Sequence, residues 1–122
     1  MNNNIDIMNI LMSLPDTRIK ENAFKNCEKL TEITIPSSIT EIEKHAFWGC
    51  TSLTKIIIPS SVTIIGNSAF EKCTSLTEIS IPSSVTKCGK YIFTDCTALK
   101  KITIPSSLSY VEKPKGAEVT YI

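Results

Sequence analysis

Five cysteines hold most of the reactive chemistry in this sequence: Cys27, Cys50, Cys73, Cys88 and Cys96. A thiol can act as a nucleophile, a zinc ligand or half of a disulfide, and spacing discriminates among these uses. Four of the five recur every 23 residues, at positions 27, 50, 73 and 96. There is no C-x-x-C pair and the only histidine is His45, so a zinc site lacks its usual ligand set. An odd count suits a disulfide framework poorly. Distance alone does not exclude a bridge, because strands stacked about 4.8 Å apart fall within the Cα separation of about 4.4–6.8 Å that a disulfide needs. The thiol register lies between a phenylalanine and a leucine register, which reads these residues as small buried hydrophobes, a common role of free cysteine.

Acid–base chemistry is no better provided for. His45 stands beside Lys44 in a variable stretch and reads as a solvated residue. Gly49, Gly66, Gly89 and Gly116 are too dispersed to build a phosphate-cradling loop. Aspartates and glutamates are scattered, with no pair spaced for glycosidase-type work. We expect no enzyme, no metal and no cofactor.

The elements that position these side chains follow from the same interval. Phe24, Phe47, Phe70 and Phe93 keep the 23-residue spacing, as do Leu30, Leu53, Leu76 and Leu99, and Pro36, Pro59, Pro82 and Pro105. A self-similar period of this length marks a solenoid, in which each unit buries its apolar row only by stacking on its neighbours. Leu30, Ile33 and Ile35 have the L-x-x-I-x-I spacing of a short strand with one buried face. Pro36 then removes a backbone donor and Ser37-Ser38 forms a turn. A second extended stretch is expected over 39–42. In 44–50, the spacing of Ala46, Phe47 and Cys50 predicts a single helical turn with one buried face.

The pattern I-P-x-S-V-T-x-I-x-x-x-A-F-x-x-C-x-x-L-T-x-I is met at 35–56, 58–79 and 81–102. It resembles the BspA-type leucine-rich repeat over about residues 14–111, with Cys88 where the other units have Ile42 and Ile65, and Ile92 where they have Ala46 or Ala69. The resemblance implies an α/β leucine-rich-repeat solenoid with a parallel β-sheet on its concave side and short extended or single-turn helical segments elsewhere. It also implies a binding role, since relatives of this kind are bacterial and protist surface proteins, some taken to be adhesins. The expected organisation is an N-terminal capping segment over 1–13, about four and a half coils over 14–113, and an irregular cap or last strand over 114–122. Ile5, Ile7, Met8, Leu11 and Met12 have the spacing of a capping helix, and Val119 and Ile122 continue the cysteine and leucine registers.

With Ile33 and Ile35 inward, the outward row reads Glu32, Lys55, Glu78, Lys101 down the stack, and the next row reads Thr34, Ile57, Ser80, Thr103. Opposite charges on neighbouring rungs can each contribute about 0.2–1 kcal/mol to stacking. The same rows can also form a polar recognition surface around an Ile57 anchor. Trp48 is the other candidate, because it follows the buried Phe47 and tryptophan is enriched at binding hot spots. Its bland alternative is packing over its own neighbour.

The 122 residues are 42% hydrophobic with a formal net charge of +1, a balance that argues against a nucleic-acid binder and against disorder. No apolar run approaches the roughly 18–20 residues of a membrane span. The N-terminal stretch MNNNIDIMNILMSLP lacks the positive region of a signal peptide, which reads as cytoplasmic, whereas the resemblance points to a cell surface. The expected function is a protein-interaction module. The alternatives are a surface adhesin and a self-assembling repeat whose C-terminal edge pairs with a second copy.

Overall fold

The computed structural model describes residues 17–122, so the segment 1–13 read as a cap, with its helix pattern over Ile5–Met12, lies outside the described residues. Alternating β-branched and polar residues give each unit one three- or four-residue strand: β2 (Glu32–Thr34), β4 (Lys55–Ile57), β6 (Glu78–Ser80) and β8 (Lys101–Ile104). In β2, β4 and β6 the central isoleucine is buried and both flanking residues face solvent, as a period of two requires. The chain then turns at proline, whose carbonyl accepts the N–H three residues on, at 3.1 Å for Ile39 and 3.2 Å for Val62. A second, two-residue strand follows on another side: β1 (Arg18–Ile19), β3 (Glu41–Ile42), β5 (Ile64–Ile65) and β7 (Lys87–Cys88).

The short strands form one continuous parallel sheet in the order β1-β3-β5-β7, with Ile19, Ile42, Ile65 and Cys88 in register. The long strands form two pieces, β2-β4 and β6-β8-β9, where β9 is Glu118–Tyr121. The third side is built from turns, and the helical turn predicted over 44–50 does not form there. His45 and Gly49 have φ of 59° and 74°, and a left-handed residue at each end of that stretch ends any right-handed helix. Among the described residues the only helical piece is the 3-10 turn Ser106–Leu108, which makes the fold a parallel β-solenoid with almost no helix.

Inside the coils the expected ladders stack. Phe24, Phe47 and Phe70 lie ring over ring at 5.4 and 5.8 Å, and Leu30, Leu53 and Leu76 are fully buried. Phe93, Cys96, Leu99 and Ile102 of the fourth unit are also buried, because Ala117 and Val119 of the tail pack against the core. The tail adds a strand as expected, but in a different register. Lys101 stands opposite Glu118 and Ile102 opposite Val119, so Val119 occupies the isoleucine row and not the cysteine row. The last coil skips the second strand and the long turn, and Ser106–Leu108 and the Gly116 turn (φ 84°) shorten it.

Candidate functional site

The thiols serve the core. Cys50, Cys73 and Cys96 are buried, and each S–H donates to the carbonyl of the phenylalanine one coil back: Phe24 at 3.1 Å, Phe47 at 3.3 Å and Phe70 at 3.1 Å. Burial pushes the Cys50 thiol up to about 12, and Cys96 and Cys88 up to about 11, with Cys73 moved further in the same direction. Loss of hydration disfavours the thiolate, which is the nucleophilic and metal-binding form. All five cysteines are free, and Cys27, at the first described coil, is half-buried. Among the described residues, no three His, Cys, Asp or Glu side chains converge as a metal would require.

The face of the long strands is different. Strand pairing sets Glu32 opposite Lys55 and Glu78 opposite Lys101, and β9 extends the alternation by setting Lys101 opposite Glu118. These rungs are in register, yet among the described residues no ion pair joins them. Ion pairs form instead between Arg18 and Glu43 at 3.1 Å and between Lys44 and Glu21 at 3.8 Å. Among the described residues the charges of the outward row are therefore exposed and without an ion-pair partner.

Between β4 and β6 the sheet is interrupted. The two strands are neighbours, but no ladder hydrogen bond joins them, whereas β2 pairs with β4 and β6 with β8. A recess of about 160 Å³ runs from this break across β6 to β8, lined by Lys55, Ile57, Glu78, Ser80, Lys101 and Thr103 among others. Ile57 is 46% exposed beside it, an apolar side chain in an otherwise polar row. The structure thus gathers four of the six residues singled out from sequence around one opening. Glu32 stands one rung outside, opposite Lys55.

Trp48 does not join this group. It is half-buried on the turn side, with the Lys25 ammonium 5.2 Å and the Lys72 ammonium 4.9 Å from its ring centroid. Its π surface is engaged within the chain.

A second recess, of about 600 Å³, was not found by sequence reasoning. It lies beyond β7, where the second sheet ends, between Tyr91 and Tyr110. The Cys88 N–H donates to the Tyr110 phenol at 3.3 Å, and that hydroxyl reaches the Cys88 carbonyl at 3.5 Å, so a side chain covers the edge of β7. The available signal was a tyrosine at 110 in the outward register of Lys87.

A model of the BspA type leucine rich repeat region matches residues 2–114 in six copies. The chain belongs to the BspA-type leucine-rich repeat family. No curated protein matches it. Among solved structures it is similar to a leucine rich cell surface protein from Faecalibacterium prausnitzii, at 31% identity and a TM-score of 0.79, covering 88% of this chain and 31% of that one. A leucine-rich repeat protein from Bacteroides capillosus matches at 35% identity and a TM-score of 0.66, covering 72% of this chain and 62% of the other. The T. pallidum leucine rich repeat protein matches at 25% identity and a TM-score of 0.61, covering 90% and 65%. The chain thus spans less than a third of the F. prausnitzii protein. Among the described residues no helix is long and apolar enough to cross a membrane.

Proposed function

We propose that the chain is a non-enzymatic protein-interaction module that binds through the face of its long strands. One observation carries this reading: among the described residues the row Glu32, Lys55, Glu78, Lys101 is exposed and joined by no ion pair, and it runs beside the exposed Ile57 at a break in the sheet. An apolar centre within a polar rim is the anatomy of a protein interface. Trp48, closed off by Lys25 and Lys72, is the weaker anchor.

A photoreactive amino acid placed at Ser80, and separately at Lys44 on the turn side, tests the reading by crosslinking in extracts of the source cells. Protein adducts from Ser80 and none from Lys44 are expected. Adducts from Lys44 alone would move the binding surface elsewhere.

A second reading, a surface adhesin for host or matrix proteins, draws support from the description of the F. prausnitzii relative as a cell surface protein. Labelling of intact cells with an impermeant reagent tests it, and protection of the chain from that reagent counts against it.

A further inference from the structure

We propose that the long-strand face docks on the same face of a second copy of this chain, with the two stacks running in opposite directions. The inference rests on the reading of that face as the binding surface and names its partner. Two-fold symmetry can bring two such sheets face to face with the axis along the stack or along the strands. An axis along the stack keeps the rungs in order and reverses the strand direction. Over the charged row it sets glutamate on glutamate and lysine on lysine, and between the two outward rows it sets the charges against Thr34, Ile57, Ser80 and Thr103. An axis along the strands reverses the order of the rungs.

When that second axis lies over the break between β4 and β6, each of the four rungs from Glu32 to Lys101 finds its opposite. Glu32 faces Lys101 of the second copy, Lys55 faces Glu78 of the second copy, and symmetry repeats both pairs. The four rungs from Glu32 to Lys101, E-K-E-K, are antisymmetric about the break between β4 and β6, with Glu118 of β9 outside this set. The same rotation preserves position along the strand, so the second row also falls on itself. Ile57 then meets Ser80 of the second copy, and the two Ile57 side chains flank the axis, covering the most exposed apolar group of this face. An axis along the stack thus never sets opposite charges together, and among the described residues no ion pair holds the row, which leaves all four rungs to pair across.

Moving the axis one rung, between β6 and β8, also matches charges, by setting Lys55 against Glu118 and Glu78 against Lys101. That placement sets Ser80 and Thr103 beside the axis and leaves Ile57 against Thr120. The position of Ile57 therefore selects the axis over the break between β4 and β6.

Sedimentation equilibrium of the 122-residue chain, of Lys55→Glu, of Glu78→Lys and of their equimolar mixture tests the arrangement. The wild-type chain should dimerise, with a dissociation constant rising about tenfold or more between about 0.05 and 0.5 M salt as exposed pairs are screened. Each reversal alone places like charges together twice and should give a monomer. The mixture should dimerise again, because each reversed rung meets its opposite on the other variant. With the axis between β6 and β8 the mixture would keep two like-charge contacts and stay monomeric. Far-UV circular dichroism confirms that each variant is folded. Should a reversal not fold, Lys55→Gln and Glu78→Gln replace the pair: each should weaken the dimer, and their mixture should dimerise more tightly than either alone, because only the mixed dimer keeps one Lys55–Glu78 pair. A wild-type monomer at about 0.5 mM in low salt, or a mixture no tighter than its components, overturns the proposal. If the wild type stays monomeric while Ser80 still crosslinks a different protein, the second copy is excluded and the binding-face reading stands. Absence of both removes both.

Discussion

Seven non-glycine residues among those described have positive φ, and they fall into two columns, Asn22, His45, Ser68 and Tyr91, then Asn26, Lys72 and Asp95 with Gly49. Each coil thus makes its third side with two left-handed residues four positions apart. The backbone pays about 1–2 kcal/mol for a β-carbon in this region. Asparagine and glycine announce such positions, but His45, Ser68, Lys72 and Tyr91 do not, which is why a helical turn was read over 44–50 from side-chain spacing alone. Tyr91 is 54% exposed, so Tyr91→Gly removes strain at little packing cost and should stabilise the chain by about 0.5–1 kcal/mol, read as a raised thermal midpoint. A lowered midpoint would show that the left-handed turn is not strained. The thiols make a second residue-scale prediction. Folded Cys50, Cys88 and Cys96 hold their protons up to about 11–12, above an ordinary value of 9.0. Their contribution is intact below pH 9 and is lost as pH rises through the folded values, at about 1.4 kcal/mol per pH unit for each thiol. Urea unfolding at pH 8 and pH 10.5 should show this loss, and Cys73→Val should shallow it.

At the scale of elements, the coils are held by ladders that repeat with the sequence. The Thr40 and Thr63 N–H groups each donate one coil back at 2.7 and 2.8 Å, to Thr17 and Thr40, while Phe24 and Phe47 N–H groups donate one coil forward at 2.8 and 2.9 Å, to Ala46 and Ala69. Between them the phenylalanine stack fills the centre, and Phe47→Ala should cost about 3–5 kcal/mol in chemical denaturation, since neither neighbour can collapse into the void. Gly66 is constrained by its neighbour: a β-carbon there would lie 2.5 Å from the Lys44 backbone nitrogen, so Gly66→Ala should separate two coils and lower the thermal midpoint by several degrees. An unchanged midpoint would mean that the coils give way at no cost. Strands were legible because a period of two in Leu30, Ile33 and Ile35 and its repeats leaves one buried face. The register of β9 was not, because the last coil loses its second strand, and counting by 23 then misplaces Val119. The break between β4 and β6 was equally hidden. Lys55–Ile57 pairs with β2 and Glu78–Ser80 with β8, so each strand taken alone reads as one that pairs.

For the whole molecule, the near-zero net charge conceals an ordered surface. Sequence order alone revealed the rows Glu32, Lys55, Glu78, Lys101 and Thr34, Ile57, Ser80, Thr103, because a solenoid converts a 23-residue interval into adjacency. It could not reveal that these charges leave one another unpaired, which depends on side-chain placement, or that Lys25 and Lys72 close over Trp48. The Tyr91–Tyr110 recess arises only where the coil pattern ends, outside the reach of periodicity. The scaffold is a BspA-type repeat with a core of one-dimensional ladders, and we propose the long-strand face as its binding surface. Backbone amide hydrogen exchange, recorded on dilute and on concentrated protein, tests that assignment most directly. The account predicts slower exchange on concentration over Lys55–Ile57 and Glu78–Ser80, with β3, β5 and β7 unchanged. Protection confined to β7 or to the outer edge of β9, or none anywhere, would contradict it.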